Sequence, residues 1–506
     1  MPAPTEPAVR ADPAGNTLQR FLHHALTSPQ APAVEHEGGV LSYAELLAAA
    51  RERAGRLAAD GAGRGSRIAV ESAYGADYVI ALLAGWLLEA VAVPLDPASP
   101  AERRRYQVRQ ARCEVAATGP GSDGVVADAV AEVLAASDPA ARQERAEDEE
   151  QEVAAYILFT SGSTGVPKGV EVEHPALANM LQHFVEALKL GAGDRMLAHS
   201  NVVFDMSVPE MLIPLISGGT VAVAPPRSAR NPEFFADWLR AAPVDAAWAT
   251  PSQLRLLLPF LRGERVFATL ISGGEALTAA LAEDLREVAG TLWNAYGPTE
   301  ITVVGLAGEV TAPFTDPMPI GLPLTGLGAH VLDEQLRPVE PGAVGELCLS
   351  GIGVARGYVG SPELTARAFV SGPDGSRMYR TGDLVRVRPD GRYDFHGRRD
   401  DQVKIRGHRV ELGEIEAAAQ RSPSVAQASA VVSDLLRDPA DLYLAVSPAP
   451  GAGHEPGELR AHLRRSLPAH MQPQRVFVFG ELPRNTAGKT DRRAVRQLVE
   501  DRLRAG

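Results

Sequence analysis

The sequence predicts an α/β protein: a large N-terminal domain of mostly parallel sheets flanked by helices, then a small, mobile α+β domain. Three observations carry this. Short apolar runs ending in small or polar turns alternate with helical segments over most of the chain, as in parallel strand–helix–strand units. A length of 506 residues with 45% hydrophobic composition suffices for more than one large core. Beyond Gly397 charge density rises and the pattern alternates, which suits a smaller domain with a half-wet hairpin. The expected domains are 1–399 and 400–506.

Composition narrows the function. A net charge of −13 argues against a nucleic-acid partner. Cys113 and Cys348 offer neither a disulfide framework nor metal spacing, and a reduced, cytoplasmic setting fits. No run of about 18 apolar residues exists to span a membrane, and the Pro/Ala-rich N-terminus is no signal peptide.

Taken in order, residues to about Gly15 read as disordered. A helix capped by Asn16 or Thr17 carries Leu18, Phe21, Leu22 and Ala25, with His23 and His24 on its surface. Ser42 with Glu45 forms a capping box for the next helix. Arg67–Glu71, a helix over Tyr78–Glu89 and Ala90–Pro94 then read as strand, helix, strand. The charged stretch Ser137–Glu152 is a solvated lead-in.

Tyr156–Phe159 is a buried strand that stops at Thr160, Ser161, Gly162, Ser163, Thr164 and Gly165, followed by Pro167, Lys168 and Gly169. Small hydroxyl residues and glycines can turn backbone N–H groups towards one anion, and Lys168 adds a positive charge. A triphosphate needs such donors; the Walker spacing is absent. This stretch resembles the phosphate loop of the adenylate-forming enzymes: acyl-CoA synthetases, luciferases and the adenylation domains of non-ribosomal peptide synthetases. Further motifs in the right order extend the resemblance over nearly the whole chain.

Strands at Arg195–His199, Val221–Pro225, Asp245–Pro251, Ala268–Leu277 and Thr291–Thr302 end in turns that converge on one pocket, as ligands bind beyond the carboxyl ends of such strands. In Asn294-Ala295-Tyr296-Gly297-Pro298-Thr299-Glu300, the tyrosine offers a flat face and the glutamate an oxygen ligand of the kind Mg²⁺ takes. The resemblance implies adenine stacking by Tyr296, an adenine-edge neighbour in Asn294, Mg²⁺ on Glu300, ribose contacts from Asp383 and Arg398, and a hinge at Asp400. It also implies an adenylation lysine at Lys489, though the lead-in Asn485-Thr486-Ala487 departs from the usual pattern and His470 stands where a tyrosine is usual.

The implied reaction is attack of a carboxylate on the α-phosphate of Mg·ATP, with pyrophosphate leaving. Asp205, in Phe-Asp-x-Ser, matches the aspartate that pairs with a substrate α-ammonium. By the same resemblance Met206, Pro209, Trp248, Ile271, Gly273, Ala295, Val303 and Val304 line the side-chain pocket. None is charged, and the bulk of Trp248 and Met206 favours a small aliphatic side chain: alanine first, then 2-aminobutyrate or valine. The expected acceptor is the phosphopantetheine thiol of a separate carrier protein, for which Arg398–Arg409 and Arg492–Arg504 are candidate basic patches, and the expected state is a monomer. The chain reads as a stand-alone ligase or a domain cut from a larger synthetase. The competing readings are an acyl- or aryl-CoA ligase of the same fold and a non-catalytic nucleotide-binding homologue.

Overall fold

The computed structural model describes residues 17–119, 122–136, 153–162, 165–261, 263–400, 402–405, 407–433, 435, 441–449, 456–484 and 490–505. Ser163, Thr164, Lys489 and the stretch 137–152 therefore lie outside the described residues.

Two sheets dominate the N-terminal part. The first has nine strands. Six of them run parallel, in the spatial order Ala289–Tyr296, Phe267–Gly273, Val244–Ala249, Arg195–Ala198, Thr220–Val223 and Pro32–His36. The second has six, of which Ala154–Thr160, Val91–Leu95, Arg67–Glu71 and Val115–Thr118 are parallel. Both carry antiparallel edge strands. A third, antiparallel sheet contains Arg377–Val387 and Tyr393–Arg398.

Helix Ser207–Ser217 shows why the layers close. It is buried at every position from Ser207 to Ile216, so it has no wet face and serves as filling between layers. Its one charge, Glu210, accepts bonds from the backbone N–H of His199 and of Ser200, each at 2.9 Å, and from the Tyr74 hydroxyl at 2.8 Å. Those bonds pin the loop that leads to Asp205. The Ser42–Glu45 capping box starts helix Tyr43–Ala59, and the Tyr43 hydroxyl donates to the Gly219 carbonyl at 2.9 Å.

The C-terminal part has a hairpin, Gln402–Ile405 with His408–Glu411, and helix Leu412–Gln420. A three-stranded sheet of Val425–Ser433, Asp441–Pro448 and Arg475–Val478 follows, with helices Pro456–Ser466 and Arg492–Ala505. The expected strands and helices appear within a few residues of their predicted ends, where fraying and capping make boundaries soft.

One strand that matters for the site is absent from the sequence reading. After the phosphate loop the chain returns as strand Lys168–Glu173, antiparallel to Ala154–Thr160, with Lys168 opposite Thr160, before helix His174–Leu188. Val170 and Val172 join the main apolar cluster while Glu171 and Glu173 meet Arg356, an alternation that holds the register.

The second sheet also holds a buried ion cluster. Glu71 and Arg104, 1% and 4% exposed, are paired, and Arg104 also reaches Asp123 at 2.7 Å. Removing one partner leaves an uncompensated charge. Arg104→Met should lower the unfolding free energy by about 3 kcal/mol, measured by urea denaturation, and adding Glu71→Gln should recover part of the loss.

Candidate active site

The carboxyl ends of the parallel strands, the phosphate loop and the C-terminal hairpin enclose one cavity of about 330 Å³. Asp205, Met206, Trp248, Gly273, Ala295, Val303 and Val304 line its inner end. Tyr296, Gly297, Thr299, Asp383, Arg398, Thr160 and Ser161 also face it.

Several predicted residues stand behind the wall. Ile271 is buried on the same strand face as Gly273, one pair deeper and in register with Trp248. Pro209 lies inside the buried helix Ser207–Ser217. Asn294, expected at the adenine edge, is not among the lining residues; its side chain donates to the Pro319 carbonyl at 2.8 Å, and that bond holds it away from the cavity.

Trp248 sets the depth of the inner end. A Cβ on Gly273 would stand 2.9 Å from the indole Nε1, so the ring lies directly across that glycine. On the opposite wall Val303 holds a φ of +69°, a region β-branched residues avoid. The close approach of Gly297 to the Val303 carbonyl fixes that turn, since a Cβ there would lie 2.4 Å from the oxygen.

Asp205 accepts a bond from the Thr299 hydroxyl at 2.6 Å. Burial pushes its pKa up to about 6, against the Thr299 bond. Among the described residues it forms no ion pair; the Lys404 ammonium acts on it only at longer range. Asp383 sits at a register shift in its strand, beside Gly382 at φ +74°. It accepts from the Tyr296 hydroxyl and from the Arg398 guanidinium, which also grips Asp400 at 2.7 and 3.0 Å. The Tyr296 ring carries the Lys404 ammonium 5.6 Å from its centroid.

Glu300 is fully buried. One oxygen accepts from the Tyr358 hydroxyl at 2.7 Å and the other from the Arg409 guanidinium at 2.9 Å. Burial pushes its pKa up, but Arg409 and Lys168 prevail and hold it below the usual carboxylate range. The donor set fits Mg²⁺: a single buried carboxylate that demands a cation, with Arg409 standing in for it. No cluster of three His, Cys, Asp or Glu exists among the described residues, so the protein forms no closed metal cage there.

The phosphate loop is covered by the C-terminal part. The Ser161 hydroxyl donates to the Arg409 carbonyl at 2.8 Å, and the Gly162 N–H faces Glu414 at 3.4 Å. Glu414 is in turn paired with Arg103 at 2.6 Å. Gly165, at φ +82°, lets helix Leu412–Gln420 approach so closely that a Cβ would meet that of Ala417 at 2.8 Å.

Lys404, Arg409 and Tyr358 are the residues that sequence reasoning missed as site groups. Lys404 and Arg409 face each other across the hairpin. Two like charges at such a position repel unless an anion lies between or beyond them, and that pairing was the available signal. Among the described residues, the arginines of Arg398–Arg409 do not form the free basic patch expected for a carrier protein. Arg398 pairs with Asp383 and Asp400, Arg399 with Glu334 and Glu346, and Arg409 with Glu300.

The raised pKa of Asp205 gives a pH test. Above about pH 6 the empty site holds a carboxylate ready for an ammonium, and below it a neutral acid. For an α-amino acid, kcat/KM should fall about tenfold per unit below pH 6, and Asp205→Asn should flatten and lower the profile. A raised carboxyl pKa favours the fold at low pH and loses that contribution as pH rises through 6. Asp205→Asn should therefore raise the melting temperature at pH 8 more than at pH 4.

The AMP-binding enzyme family matches residues 21–359, and the AMP-binding enzyme C-terminal domain matches residues 414–489. The chain is 37% identical over 491 residues to a dimodular nonribosomal peptide synthase of Bacillus subtilis (strain 168), covering 94% of this chain and 20% of that protein. It therefore spans about a fifth of that relative. It is 38% identical over 530 residues to novobiocin biosynthesis protein H of Streptomyces niveus, covering 99% and 85%. A four-domain nonribosomal peptide synthetase bound to AMP and glycine aligns at 33% identity and TM-score 0.68, covering 95% of this chain and 36% of that one. The o-succinylbenzoate CoA synthetase of Bacillus subtilis shares the fold, at TM-score 0.81 and 21% identity over 96% of this chain and 98% of that one. The chain belongs to the AMP-binding enzyme family, as an ATP-dependent, AMP-forming ligase of the adenylation-domain type.

Proposed function

We propose that the protein activates a small aliphatic α-amino acid as its aminoacyl adenylate and passes it to the phosphopantetheine thiol of a carrier protein in trans, acting as a monomer. The observation that carries the amino-acid reading is Asp205, a buried carboxyl at the inner end of the cavity with a hydroxyl donor and no guanidinium partner. An incoming α-ammonium supplies the missing cation. The lining beyond it is apolar and shortened by Trp248, which supports alanine first, then 2-aminobutyrate or valine. The four-domain synthetase aligned above holds glycine with AMP, and a solved protein containing adenylation and PCP domains aligns at 26% identity and TM-score 0.78 over 96% of this chain and 84% of that one. Both support the reading.

In the adenylation step the chain positions groups and neutralises charge. Asp205 holds the α-ammonium and thereby aims the carboxylate. Asp383 accepts from the ribose hydroxyls while Arg398 and the Tyr296 hydroxyl keep it oriented. The Thr160–Gly169 loop and Lys168 hold the β- and γ-phosphates. Glu300 would hold Mg²⁺, which when bound neutralises phosphate charge. By the family resemblance Lys489 would act at the reacting centre. None of this occurs while Arg409 occupies Glu300 and Glu414 faces the loop, so the C-terminal part must move, with Asp400 as the hinge.

The second reading, an acyl- or aryl-CoA ligase, rests on the fold shared with the succinylbenzoate enzyme. Amino-acid-dependent ATP–pyrophosphate exchange separates the two. Exchange should peak with alanine, 2-aminobutyrate or valine and fall at least a hundredfold in Lys489→Ala and in Asp205→Ala. Exchange driven only by plain carboxylic acids would overturn the amino-acid reading.

A further inference from the structure

The segment Ala355–Val359 has no place in the reaction as described, yet its contacts converge on the two charged ends of the site. Its backbone ties three pieces together. The Ala355 N–H donates to the Glu300 carbonyl, the Arg356 N–H to the Glu171 carbonyl, and the Val359 N–H to the Gly169 carbonyl, at 2.8 to 2.9 Å. The Arg356 guanidinium then clamps the returning strand of the phosphate loop through Glu171 at 2.9 Å and Glu173 at 2.7 Å. Tyr358 stands at the centre, 6% exposed, opposite Val170 in register.

Its side chain makes two different contacts. The hydroxyl donates to one oxygen of Glu300 at 2.7 Å. The ring face carries the Lys168 ammonium 4.7 Å from its centroid. The edge of Phe369, 5.5 Å away at 71°, and the bond from the Tyr358 N–H to the Thr365 hydroxyl fix the ring in place. With Glu300 as its acceptor, the phenol serves as the donor in this bond.

We propose that Tyr358 is a positioning residue that sets the phosphate-loop lysine and the metal-facing carboxylate in one fixed relation. The hydroxyl occupies one Glu300 oxygen and presents the other, now taken by Arg409, to a divalent cation. The ring face restrains the half-buried Lys168 ammonium, which Glu300 also attracts. The residues that would hold the metal and the phosphates are thus both positioned by one aromatic side chain. The inference rests on the reading that Glu300 receives Mg²⁺.

The test measures binding rather than turnover. The affinity of a non-hydrolysable α,β-methylene ATP is determined by calorimetry in EDTA and in saturating Mg²⁺ for the wild type, Tyr358→Phe, Tyr358→Leu and Glu300→Gln. Tyr358→Phe keeps the ring. It should leave the metal-free affinity within twofold and reduce the tightening produced by Mg²⁺ at least fivefold. Tyr358→Leu loses both contacts and should weaken the metal-free affinity at least threefold as well. Melting curves identify any variant that is merely unfolded. If Tyr358→Phe retains the full Mg²⁺ effect while Glu300→Gln loses it, the positioning role is overturned and the metal reading stands. If Glu300→Gln itself retains the full effect, the metal reading fails and takes this inference with it.

Discussion

The structure depends on the buried charge of Glu300. A carboxylate with no exposed surface must be paired, because leaving it alone costs several kcal/mol. Arg409 supplies that partner, and it comes from the C-terminal hairpin. One ion pair therefore joins the two parts of the chain at the reacting end of the cavity. On the proposed function the same carboxylate oxygen would receive a metal. Arg409 and a metal–nucleotide would then compete for it, each disfavouring the other by simple linkage, and seating of the hairpin and binding of Mg·ATP would be alternative states of one site.

Other contacts share that logic. Glu414 takes the place before the Gly162 N–H that the proposed function gives to a phosphate oxygen, and Lys404 stands over the Tyr296 ring, attracted by Asp383 and Asp205. The hairpin thus brings Arg409 to Glu300 and Lys404 towards two acids of the cavity, while an acid from the following helix faces the phosphate loop. Close glycine contacts, at Gly165 on one side and Gly407 against Thr250 on the other, allow the two parts to meet without side chains intervening. The seated hairpin and the helix after it place an acid at Gly162, where the proposed function assigns a phosphate, and a cation at Glu300, where it assigns the metal.

Much of the fold was legible. The apolar runs and the Ser42–Glu45 box follow from local periodicity and capping, and they appear where expected. Asp205, Tyr296 and Thr299 lie where the ends of parallel strands and the loops after them meet at one edge of a sheet, whereas Asp383, inside the antiparallel strand Arg377–Val387, is marked by the family resemblance. The rest was hidden for physical reasons. Asn294 is held off the cavity by its bond to the Pro319 carbonyl, a partner 25 residues away that local pattern does not announce. The hairpin read as half-wet because Lys404 and Arg409 look like surface charges until their anions, far away in sequence, are brought to them. Tyr358 resembles a scaffold aromatic, since its hydroxyl partner lies 58 residues earlier.

The most direct measurement is a crystal structure of the protein with Mg²⁺ and α,β-methylene ATP. The account predicts that the Arg409–Glu300 pair is broken, that Glu300 faces the metal, and that the hairpin has left the cavity with Glu414 withdrawn from the phosphate loop. A structure holding the metal–nucleotide with Arg409 still on Glu300 would contradict it, because the carboxylate would then not be the contact that the two states exchange.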